Sequence, residues 1–74
     1  MSRLPNLSAR QVLKIFQRAG FVVHAKVGSH FTLLNPTTLK RTTISMHSGD
    51  LKRPLLKAMI KQAGLTEEEF RKLI

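Results

Sequence analysis

Between residues 8 and 20, apolar side chains fall at Val12, Leu13, Ile15, Phe16 and Ala19, the spacing of one helix face. Ser8 opens the stretch and Gln11 follows three residues later, the pairing of a capping box. Gly20 stands where a helix closes on a glycine. The opposite side carries Arg10, Lys14 and Arg18 at steps of four. The period then changes to two. "FVVHAK" (21–26) and "HFTLL" (30–34) flank a Gly-Ser turn, and β-branched "RTTISM" (41–46) follows the loop "NPTTLK". Helical spacing returns near Pro54 with Leu55, Leu56, Met59, Ile60 and Ala63, ended by Gly64 and lined outside by Arg53, Lys57 and Lys61. Thr66 and Glu69 make a second capping box for a short last helix ending at Leu73.

The order α-β-β-β-α-α predicts an α+β fold in one domain, residues 1–74: a three-stranded antiparallel sheet with the helices on one face. The other face stays open to solvent or a partner. Alternation assigns side chains to faces. Phe31, Leu33, Ile44 and Met46 point inward, leaving His30, Thr32, Leu34, Thr43 and Ser45 outward, with His47 to follow if the alternation continues. Pairing Leu34 with Arg41 sets His30 opposite Ser45. A three-residue loop, Val27-Gly28-Ser29, pairs Lys26 with His30 and keeps Phe21, Val23 and Ala25 inward. A two-residue turn would turn His24 and Lys26 toward the core. On this register all three histidines, Lys26 and Arg41 share the open face with Thr32, Thr43 and Ser45.

Charge changes the picture from a fold to a partner. The net charge is +9, from 13 Lys and Arg against 4 acids. Three of those acids are Glu67, Glu68 and Glu69, so residues 1–66 hold eleven cations against Asp50 alone. Such a surface suits a polyanion, and nucleic acid is the commonest. Cysteine is absent, which excludes a disulfide framework and a thiolate metal site. No apolar run approaches a membrane span, and "MSRLPNLS" has no apolar core of a signal peptide, so an intracellular protein is expected.

Three histidines on a basic face leave three readings. One is RNA cleavage: RNA carries its own nucleophile, the 2′-OH, and histidine moves protons near neutral pH while a nearby cation stabilises the phosphorane. A second is zinc, disfavoured because there is no HxH or HxxxH spacing and no acid close by. The third is ordinary strand decoration. No Gly-rich phosphate loop is present. Phe16 and Phe31 read as core, which argues against a stacking platform for single strands.

"LSARQVLKIFQRAGF", "GSHF" and "TISMHSGDLKRPLLKAMIKQAGLTEEEF" resemble the HicA toxin family of bacterial toxin–antitoxin pairs, from about Leu7 to Leu73. The resemblance implies a fold like that of double-stranded RNA-binding domains. It implies a bacterial ribonuclease that cleaves messenger RNA and halts translation; the absence of cysteine suits the cytoplasm, and because RNA supplies the nucleophile no metal or other cofactor is expected. It also implies a HicB-type antitoxin that covers the active site. His30 carries over as the catalytic residue, with Gly28 and Ser29 as its motif. His47 and Ser45 are candidates for a second acid or base. Lys14, Lys26, Arg41, Lys57 and Lys61 are candidates to hold phosphates. Phe31 stands where a second polar residue is common in the family. The alternative is a non-catalytic RNA-binding module, which needs only shape and phosphate contacts.

Overall fold

The computed structural model describes residues 4–46 and 49–74. Helix α1 (Ala9–Arg18) is followed by strands β1 (Val22–Val27), β2 (His30–Leu34) and β3 (Arg41–Ser45), then by helices α2 (Arg53–Gln62) and α3 (Glu67–Lys72). The strands form an antiparallel sheet in the order β1-β2-β3. The α+β layout read from the sequence is therefore the observed one.

The helix ends follow local chemistry. Ser8 and Gln11 complete a reciprocal capping box on α1, as Thr66 and Glu69 do on α3. The Thr66 backbone N–H, and secondly its hydroxyl, hold the Glu69 carboxyl below the usual glutamate range. At the far end of α1, Gly20 N–H donates to Gln17 and Phe21 N–H to Phe16, a Schellman motif that satisfies two orphan carbonyls. Its apolar contact is the Phe16–Phe21 pair, edge to face with centroids 5.4 Å apart. The same bonding pattern ends α2, where Leu65 donates to Ile60 and Gly64 to Lys61.

The core lies mostly between the helices and the far end of the sheet. Val12, Ile15 and Phe16 of α1, Leu56, Met59 and Ile60 of α2, and Phe70 of α3 are buried. They meet Phe21, Leu33 and Ile44 from the sheet side and Leu4 and Leu7 from the N-terminal segment. Phe70 stacks at a tilt on Phe16, with centroids 5.4 Å apart. Long polar side chains tie the pieces: Arg53 Nε donates to the Leu4 carbonyl (2.8 Å) and Arg18 to that of Leu73 (2.7 Å). Thr42, polar and buried, donates from Oγ1 to Gln62 Oε1 at 3.3 Å, which removes the cost of burying its hydroxyl. That bond also sets the C-terminal end of α2 beside the start of β3, behind the sheet.

The β2–β3 register is the one expected, with His30 opposite Ser45 and Leu34 opposite Arg41. The β1–β2 hairpin differs from expectation. Its turn has two residues, not three, and Val27 rather than Lys26 faces His30. Gly28 sits at φ +59°, while Ser29 keeps a negative φ, the pattern of a II′ turn with glycine at its first central position. A two-residue turn in an unbroken ladder would set His24 against Leu33, inside the core. Instead a bulge between Val23 and Ala25 takes up one residue, so that Val23 meets Leu33 and His24 becomes the extra, exposed residue. The bulge restores the apolar phase that the sequence demanded of a longer loop.

Candidate functional site

The bulge splits β1 into two phases. Beyond it, Ala25 and Val27 share the open face with Thr32 and His30, and both are exposed. Ala25 is thus corrected from an inward to an outward position. Lys26 is corrected the other way: it lies opposite Phe31, on the helix side. The cost of this placement is small, because the helices leave that end of the sheet uncovered. Lys26 remains exposed and its Nζ rests 4.9 Å from the centre of the Phe31 ring, a cation–π contact. Phe31 itself is half-buried rather than a core residue.

His30 begins β2 on the open face, directly after the Gly28–Ser29 turn. Its Nδ1 lies 3.2 Å from Ser45 Oγ across the strand pair. A hydroxyl both donates and accepts, so this contact orients the imidazole in either tautomer. The Ser29 carbonyl accepts from Met46 N–H at 2.7 Å, which ties the turn to the end of β3. Gly28 and Ser29 therefore fix where His30 stands, Gly28 by its positive φ and Ser29 by its carbonyl. His47 lies outside the described residues.

The five candidate phosphate-holding cations divide. Lys14 lines a groove of about 730 Å³ between α1 and the hairpin end of the sheet. Arg10 and Gln17 stand with it on one side, and Phe31 and Met46 lie across from them. Lys26 reaches the same region through Phe31. Arg41 is on the open face but four residues along the sheet from His30, about 13 Å at strand rise. Lys57 and Lys61 are exposed on α2, in the helix layer behind the sheet. The structure thus gathers Lys14 and Lys26 at the hairpin end on the helix side of the sheet, while Arg41 shares the face of His30 farther along and Lys57 and Lys61 lie in the helix layer. Arg10 was legible as Lys14's partner at a step of four. The groove was not, because it is made by residues distant in sequence.

Among the described residues, no group of three or more His, Cys, Asp or Glu is placed to share a metal ion. Nor is any helix long and apolar enough to cross a membrane.

No curated protein matches the chain. A family model described as the HicA toxin of bacterial toxin–antitoxin systems matches residues 9–65, which span α1, the whole sheet, α2 and the turn that ends it. That match covers well over half of the 74 residues, so the chain belongs to the HicA toxin family, whose members pair with an antitoxin.

Proposed function

We propose that this toxin is an endoribonuclease that cleaves messenger RNA at His30, and that a HicB-type antitoxin silences it by covering the same face. The observation that carries the reading is His30 itself. It is exposed on the open face and anchored through Nδ1 to Ser45, on a chain of net charge +9. Family membership supports the toxin role.

In the proposed reaction, His30 takes the proton of a ribose 2′-OH. The 2′-oxygen forms a bond to the adjacent phosphorus, and the bond from phosphorus to the 5′-oxygen breaks. The products are a 2′,3′-cyclic phosphate and a 5′-OH, once the leaving oxygen is protonated. Because the nucleophile belongs to the RNA, the scheme calls for acid–base chemistry and charge rather than a cofactor. With Nδ1 held by Ser45, proton transfer is assigned to Nε2. Ser45 acts through His30 as a positioning residue, and His47 is retained as the candidate for the second acid–base role. Lys14 and Lys26, gathered at the hairpin end, are assigned to the phosphates there. Arg41, Lys57 and Lys61 would act at longer range, on a strand that runs on past the site. An antitoxin with acidic groups would complement this surface, and Val27, 73% exposed opposite His30, offers it an apolar contact.

The test is cleavage of a messenger RNA in EDTA by the purified wild type and by His30→Ala. Cleavage by the wild type, with cyclic phosphate ends and loss of activity in the variant, is expected. Equal cleavage by both would remove His30 from the chemistry. RNA binding without cleavage by either would make the chain a non-catalytic RNA-binding module.

A further inference from the structure

The groove beside α1 is not explained by a one-histidine cleavage site. Phe31, Leu13 and Met46 give it an apolar wall, each of them half-buried rather than sealed in the core. Arg10 and Lys14 supply cations along its helix side, and Gln17 a side-chain amide. Lys26 reaches over the Phe31 ring from β1, while the groove opens toward α1. At about 730 Å³, the space is that of a small-ligand pocket.

We propose that this groove holds an unpaired nucleotide of the RNA strand, with its base on Phe31 and its phosphate between Arg10 and Lys14. The proposal rests on the endoribonuclease reading and adds the class of substrate: single-stranded RNA. An apolar ring flanked by cations matches a nucleotide in both chemistry and charge, since the base has an apolar face and the phosphate is anionic. Gln17, able to donate and accept, is placed to meet a base edge. A duplex cannot fill the groove, because its bases are stacked inside the helix. The strand's course follows from the hairpin. His30 and Phe31 are consecutive and face opposite sides of the sheet, both next to the Gly28–Ser29 turn. A strand with its scissile phosphate at His30 therefore passes over the turn to set a neighbouring base against Phe31. The half-buried state of Phe31 corrects the expectation that it belongs to the core, and with it removes one ground for arguing against a stacking platform.

The experiment measures binding, so that it is independent of cleavage. His30→Ala protein is titrated into a short labelled single-stranded RNA, the same strand with abasic sites throughout, and the matching duplex. The base-bearing single strand should bind roughly 5- to 150-fold tighter than the abasic strand, the range for one stacked base. Phe31→Leu in the same background should erase most of that ratio, whereas Lys14→Ala should weaken both single strands alike. Phe31→Trp keeps a ring and reports directly: its fluorescence should quench with the base-bearing strand and not with the abasic one. Equal affinity for the two single strands, tighter binding of the duplex, or an unquenched indole in the Phe31→Trp variant would overturn the groove assignment. Cleavage at His30 would stand in each of those cases. Absence of any RNA binding would overturn both readings together.

Discussion

The two ends of the sheet treat their phenylalanines in opposite ways. At the end where β1 begins, Phe21 and Phe70 each close on Phe16 at a ring distance of 5.4 Å, all three at most 2% exposed. At the hairpin end, Phe31 is half-buried, covered by a lysine instead of a helix. The same residue type thus serves as core in one place and as a surface in the other. Helix α1 spans both ends. Its C-terminal end seals against Phe21 through the Schellman motif, while the face that carries Arg10, Lys14 and Gln17 stands off from the hairpin and leaves the groove. Stability is concentrated where the rings interlock, and the candidate chemistry sits where they do not.

Truncation separates the two ends most strongly. Phe70→Ala should destabilise the fold by about 3–5 kcal/mol, the cost of emptying a fully enclosed ring site. In a domain this small, that is a large share of the total. Phe31→Leu should cost less than about 1.5 kcal/mol, because solvent already reaches the site. Urea titrations of the two variants beside the wild type measure the gap. Equal losses would mean that the hairpin end is as much a core as the other.

Ser45 offers a smaller and sharper test. Ser45→Ala should leave the urea midpoint nearly unchanged and slow RNA cleavage by about tenfold or less, the range of one lost neutral hydrogen bond. The loss should fall on kcat with KM little changed, because Ser45 orients the imidazole rather than holding RNA, and Ser45→Thr should restore it. A lowered midpoint with an unchanged kcat would make Ser45 a purely structural residue.

The smallest effect is expected at the stable end. The Glu69 carboxyl is held below its ordinary value of about 4.5 by the Thr66 cap. A depressed value in the folded chain stabilises it above that pH, and the contribution is lost as pH falls through the folded value. The wild type should therefore lose slightly more thermal stability than Glu69→Gln on acidification from about pH 6 to 3. Cleavage by the two proteins at neutral pH should be alike, since α3 is remote from His30.

The elements, their order and the outward position of His30 were all legible in the amino-acid sequence. They follow from local rules: apolar spacing, two capping boxes, helix-ending glycines, and the alternation of β2 and β3. The His30–Ser45 pairing was legible too, because setting Leu34 against Arg41 across the 35–40 loop buries Leu33 and Ile44 together. The resemblance to the HicA toxin family rested largely on the same residues that the family model matches. The hairpin end was settled by long-range packing. A bulge at His24 let a two-residue turn coexist with an inward Val23 opposite Leu33, and alternation alone cannot foresee an inserted residue. The same shift moved Lys26 to the helix side, and the distance between α1 and the hairpin lets it meet Phe31 in the open. Whether an apolar ring is core or surface depends on what packs over it, and that is set by elements far away in the chain.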